Sequence, residues 1–149
     1  MRARFVLLGA ALALGLTACG GSGDDAKTAK AATEVKVGKT ALGAVLTDGT
    51  GRTLYGFTPD KEGQSTCVDA CVATWPALAS KDQPGAGDGV QTGLLKRIQR
   101  GEGTFQASYG NWPLYYYAGD QRPGDAEGQG VDGQWFVVGA DGKLIKNQG

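Results

Sequence analysis

One string in this chain is written twice, and the copies lie a fixed distance apart. Tyr55-Gly56-Phe57-Thr58-Pro59-Asp60 returns as Tyr115-Tyr116-Tyr117-Ala118-Gly119-Asp120, displaced by 60 residues (115 − 55). Both copies read aromatic, any residue, aromatic, two turn-like residues, aspartate, and each follows a leucine, Leu54 or Leu114. A tryptophan stands at the same displacement, Trp75 and Trp135, and the correspondence runs without a gap from about Val45/Phe105 to Leu78/Val138. One unit of this size can hardly bury its apolar face alone, whereas two packed units share one core. The expected architecture is therefore mainly β: two pseudo-symmetric hairpin-based repeats packed as one small domain, with one short helix after the first strand pair. The repeats are placed at about 42–80 and 102–140, within a domain spanning 35–149.

Local signals set the expected elements. Val35 and Val37 alternate with charged residues, a weak strand signal, and 42–47 is a stronger one. Asp48-Gly49-Thr50-Gly51 between two apolar runs is a hairpin signal, so 42–47 is expected to pair with 53–57. A period of two puts Tyr55 and Phe57 on one face and Leu54 on the other. Pro59 and Asp60 end that strand. Ser65-Thr66 offers a cap to a short helix over 67–75, which Pro76 stops. The 80–89 loop joins the halves; it has no basic residue poised for phosphate, which excludes a nucleotide loop. Strands are expected at 94–100, 104–109 and 134–138, with turns at Gly101-Glu102-Gly103, Gly110-Asn111 and Asp141-Gly142.

The N-terminus has a different character. Arg2 and Arg4 precede an apolar run over 5–16, too short to span a bilayer and suited to a signal-peptide core. Leu16-Thr17-Ala18-Cys19 resembles a bacterial lipobox, so 1–18 is expected as a lipoprotein signal peptide and Cys19 as the lipidated residue. Three cysteines agree, since Cys19 then leaves an even pair, Cys67 and Cys71. More than one acyl chain holds a protein stably at a membrane. The 19–34 stretch that follows is a flexible tether, poor in groups that could offset ordering entropy. The expected location is the cell membrane, lipid-anchored and facing the periplasm or cell exterior.

Composition excludes several chemistries. The 149 residues contain no histidine, which removes the commonest general base and metal ligand. Without Arg2 and Arg4, 13 basic residues face 15 acidic ones, a net charge of −2 and no footprint for nucleic acid. No cofactor, metal or catalytic residue is expected.

Three groups carry whatever chemistry is left. Cys67 and Cys71, four apart, would sit about 6 Å apart on one helical turn, within disulfide range. In an exported domain a structural disulfide is the plain reading; a redox-active pair is the sharper one. Asp60 and Asp120 each follow a strand, where an aspartate commonly bonds turn amides, so a structural role outweighs a catalytic carboxylate pair. Trp112, Tyr115, Tyr116, Tyr117 and Asp120 form the candidate binding surface. Three consecutive tyrosines must place rings on both faces of a strand, one core and one open to a sugar or a partner protein.

These strings together resemble the bacterial secreted-repeat lipoproteins that carry a Tyr-x-(Phe/Trp/Tyr)-x-x-Asp motif. The resemblance spans about 42–138 and includes Tyr55, Phe57, Asp60, Trp75 and Trp135 as motif residues. It implies lipid-anchored or secreted proteins of unknown biochemical function and supplies no catalytic residue. At Gly110-Asn111-Trp112 the chain departs from the pattern, so the second turn is expected to differ in type. The expected function is a non-catalytic extracytoplasmic binding or structural module, with an envelope protein or cell-wall glycan as partner. The alternative is an accessory to extracytoplasmic redox or electron transfer through Cys67 and Cys71.

Overall fold

The computed structural model describes residues 33–101 and 103–147. The expected signal peptide, Cys19 and all but the end of the tether lie outside the described residues.

The described chain enters through a hairpin. β1 (Glu34–Thr40) and β2 (Gly43–Asp48) pair antiparallel from Val35 opposite Asp48 to Thr40 opposite Gly43. This corrects the expected pairing of 42–47 with 53–57. After the Asp48 turn the two runs meet only where Thr47 faces Thr53 and where the Leu54 amide donates to the Leu46 carbonyl at 3.0 Å. β3 (Tyr55–Phe57) then leaves β2 and pairs antiparallel with β8 (Trp135–Val137). Burial explains the departure. Leu54 and Tyr55 are both fully buried, so their strand runs between two apolar layers.

The second half repeats the plan. β5 (Leu95–Gly101) and β6 (Thr104–Tyr109) make the second hairpin, and β7 (Trp112–Pro113) closes against β6. Its Gly110-Asn111 turn has two residues, where the first copy uses Gly49-Thr50-Gly51 between Asp48 and Arg52. The correspondence is therefore not gapless: Leu46 matches Ala107, one residue off the displacement that relates Leu54 to Leu114. In the connecting segment, β4 (Gly85–Ala86) lies parallel to the start of β1.

The halves exchange their tails. The Trp135–Val137 strand of the second half pairs with β3 of the first, and Val138 accepts the Leu46 amide at 2.8 Å. In return, Ala77 pairs with Tyr115 and Leu78 accepts the Ala107 amide at 2.9 Å. At the centre, Tyr55 and Tyr115 exchange backbone bonds with each other, at 2.8 and 3.0 Å. The pseudo-twofold axis passes between these two residues.

Strand alternation then divides the interior. Leu54, Leu114, Leu46 and Val138 point into one layer with Val35, Leu78, Leu95, Ala107 and Tyr109. Tyr55, Tyr115, Val45 and Val137 point into the other with Cys67, Trp75 and Trp135. α1 (Ala70–Thr74) is the expected short helix. Its cap is corrected: Thr66 turns back to Asp60, and Asp69 stands at the N-cap without a side-chain bond.

Candidate functional site

The repeated aspartates act across the pseudo-twofold axis. Tyr55 Oη donates to Asp120 Oδ2 at 2.7 Å, and Tyr115 Oη donates to Asp60 Oδ2 at 2.6 Å. Each motif tyrosine is thus bonded to the aspartate of the other copy. The second carboxylate oxygen stays within its own copy. Asp60 Oδ1 accepts the Thr66 amide and hydroxyl at 2.7 and 2.8 Å, and Asp120 Oδ1 accepts the Glu127 amide at 2.8 Å. Each aspartate sits where its amide closes a turn onto the residue three before it, Phe57 or Tyr117.

Burial and these bonds shape the electrostatics. Burial first, then the bond to Asp120, pushes ionisation of Tyr55 far above the ordinary phenol value of 10.0. Tyr115 is raised in the same way, by burial and then by Asp60. Burial also raises Asp120, outweighing the Tyr55 hydroxyl and Glu127 amide that favour its charged form. The two halves of this pair are consistent: taking the site out of water favours the neutral form of both groups.

Between the pairs lies a stack of rings. Trp75 and Trp135 are parallel, with centroids 3.8 Å apart. Phe57 stacks on Trp135 at 4.2 Å and Tyr117 lies on Trp75 at 4.5 Å, so the order Phe57–Trp135–Trp75–Tyr117 obeys the repeat symmetry. Tyr55 stands edge-on to Trp75 at 5.4 Å and Tyr115 edge-on to Trp135 at 5.1 Å. Gly128 closes the stack, and its amide donates to Tyr55 Oη at 3.2 Å. A Cβ at Gly128 would come within 2.9 Å of the Trp75, Tyr117 and Tyr55 rings.

Cys67 and Cys71 are joined as a disulfide beside this stack, with Cα atoms 5.3 Å apart. Cys67 is buried and Cys71 partly exposed. Arg100 ties the region together by donating to the Cys67 carbonyl at 2.6 Å and to Ser65 Oγ and Gln106 Oε1, both at 2.8 Å. Arg100 was not foreseen from the sequence, and its match in the first half is a threonine or a lysine of β1, so the repeat offers no signal for it. The crossed pairs were foreseen only as turn aspartates. The signal was present, because a core-facing tyrosine needs an acceptor and the motif keeps one at a fixed spacing.

The candidate binding surface does not form one surface. Tyr115 is fully buried, which corrects its placement there. Tyr115 and Tyr117 face the layer of stacked rings, whereas Trp112 and Tyr116 pack on the other layer. Both faces of the tyrosine segment meet the interior, because one layer of the core lies on each side of it. Tyr116 Oη donates to Asp48 Oδ2 at 2.7 Å, and the Arg52 guanidinium lies 4.0 Å over the Tyr116 ring. Asp120 points inward to Tyr55. Among the described residues the exposed large hydrophobic is Val68, in the disulfide loop. A groove of about 370 Å³ lies elsewhere, lined by residues including Lys36, Lys39, Thr47 and Asp88.

The loop from Asp120 to Asp132 also carries Asp125 and Glu127, and Asp125 is used internally: its Oδ2 accepts the Gln121 and Arg122 amides at 3.1 and 2.9 Å. Among the described residues no three His, Cys, Asp or Glu side chains are grouped to hold a metal ion, and no helix is long and apolar enough to cross a membrane.

No curated protein and no solved structure matches the chain. A family profile does, described as a secreted repeat of unknown function, over residues 36–79 and again over 96–139. Each matched segment begins within the first strand of its hairpin, β1 or β5. With two copies spanning more than half of its length, the chain belongs to the family of secreted repeats of unknown function.

Proposed function

We propose that this protein is a non-catalytic module outside the cytoplasm, held at the membrane by lipid on Cys19, that engages an envelope protein or a cell-wall glycan. One observation carries the reading. The motif's acids and hydroxyls are engaged with one another, and among the described residues no buried side-chain polar atom lacks a partner. Groups spent on the fold leave recognition to the surface. The side chains best suited are the half-buried aromatics of the second layer, Trp112 and Tyr116, the latter with the Arg52 guanidinium over its ring. Proximity labelling from the anchored full chain, with and without Trp112→Ala, tests the reading. A labelled envelope component that disappears in the variant, with the fold intact, is expected. Labelling that does not change on that substitution moves the binding surface elsewhere.

A second reading, thiol exchange at Cys67–Cys71, is favoured by the backbone of the loop between them. Asp69 stands at φ 52° and ψ −121°, a conformation that side chains rarely adopt. Equilibration with redox buffers decides it: a potential below about −300 mV marks a structural bond and sinks this reading.

A further inference from the structure

We propose a capacity that goes beyond partner binding and does not rest on it: the crossed tyrosine–aspartate pairs and the stacked tryptophans accept single oxidising equivalents from radical oxidants and hold them as a buried tyrosyl radical.

Tryptophan and tyrosine are the aromatic side chains that yield one electron most readily. A tryptophan radical cation oxidises a tyrosine efficiently only if the phenol proton leaves with the electron. An acceptor already hydrogen-bonded to that proton removes the barrier to its departure. Both requirements are met twice here. Tyr55 is edge-on to Trp75 and bonded to Asp120; Tyr115 is edge-on to Trp135 and bonded to Asp60. The two tryptophans, parallel at 3.8 Å, join the halves. Tyr117, half-buried and 4.5 Å from Trp75, brings the stack to the surface.

Core packing by itself asks for less. A buried phenol is satisfied by a backbone carbonyl, as Tyr109 is by Ala140 at 2.7 Å. At both motif tyrosines the fold instead places a carboxylate, a proton acceptor that is costly to desolvate. Tyr116 also meets a carboxylate, Asp48, but it lies in the other layer under Arg52.

The electrons and protons balance as follows. A peroxyl-class radical takes one electron from Trp75 by way of the Tyr117 edge and leaves as the peroxyl anion. The Trp75 radical cation takes an electron from Tyr55 while the phenol proton crosses to Asp120 Oδ2. The products are neutral Trp75, a neutral Tyr55 radical and a protonated Asp120. Sharing of the charge with Trp135 gives Tyr115 and Asp60 the same role. A hydroquinone then donates one electron to the Tyr55 radical, Asp120 returns its proton, and the proton released by the hydroquinone goes to the peroxyl anion. The net change is one peroxyl radical and one hydroquinone to one hydroperoxide and one semiquinone.

Pulse-generated azidyl radicals, which oxidise tryptophan, test this on the full chain. The tryptophanyl absorption is expected to give way to tyrosyl absorption at a rate independent of protein concentration and slower in D₂O. In the Tyr55→Phe/Tyr115→Phe variant, shown folded by its near-ultraviolet dichroism, that conversion is expected to slow by about tenfold or more. Conversion that is second order in protein, or unchanged in the folded variant, overturns the proposal. If the variant does not fold, the wild-type isotope effect decides: slowing in D₂O supports the proposal, and equal rates in H₂O and D₂O overturn it.

Discussion

At the residue scale the two crossed bonds are alike in geometry and unlike in setting. Asp60 is only 7% exposed, whereas Asp120 is half-buried. Tyr115→Phe leaves Asp60 without its phenol donor in a nearly dry site and is expected to cost about 1.5–3 kcal/mol in urea unfolding. Tyr55→Phe is expected to cost less, since water reaches Asp120. The tyrosines also set the response to alkali. Tyr55, Tyr115 and Tyr116 all have folded-state values raised above 10.0, so the stability they confer is complete below pH 10 and is lost as pH rises beyond it. Phenolate absorbance of these three should therefore appear together with unfolding, not before it. On the acid side Asp48 has the opposite sense. Burial raises it, but bonds from Thr50, Tyr116 and Arg52 outweigh that and lower it below 3.8, so its contribution is lost as pH falls through the folded value. Asp69→Gly relieves the positive φ in the disulfide loop and is expected to stabilise by about 1 kcal/mol in thermal unfolding.

At the scale of elements the ring stack depends on the segments that bring its parts together. Gly128 comes from the loop between Asp120 and Trp135 and closes over three rings. Gly128→Ala is expected to destabilise by about 1–3 kcal/mol through overpacking, and to lose the near-ultraviolet dichroism of the stacked tryptophans. What the sequence made legible follows the range of each signal. Alternation correctly put Leu54 and Tyr55 on opposite faces, because pleating is local. The helix at 70–74 and the strand at 135–137 were legible from Pro76 and from a compact apolar run. The partner of β3 was not legible. The Asp48-Gly49 turn favours its neighbour in sequence, and that pull loses to the burial gained when both faces of β3 are covered. For the same reason Tyr115 looked like surface: three tyrosines in a row specify two faces, but not that each face meets a layer of the core.

At the scale of the whole molecule the exchange of tails makes the two repeats one folding unit. Residues 33–79 contain a complete hairpin and the first motif, but the partner of Tyr55 is Val137 and that of its hydroxyl is Asp120. A fragment of 33–79 alone is expected to give the circular dichroism of an unfolded chain. A native-like β spectrum from that fragment would count against the interdependence drawn here. The connection between halves carries less: 80–94 adds the short parallel strand β4, one 3₁₀ turn at Thr92–Leu94 and loop. Cutting it after folding is expected to leave the halves associated on gel filtration under native conditions. Exchange of tails also orders events in time. The Leu46 amide has to wait for Val138, 92 residues further on (138 − 46), before its bond can form. A chain that leaves a channel N-terminus first is therefore not expected to lock while it is half-way across. The pairing of β3 with β8 forms only when the final tryptophan has emerged. A copy truncated before Trp135 is expected to be cut readily by added protease where the full chain resists, so the architecture doubles as a check that the whole message has been delivered.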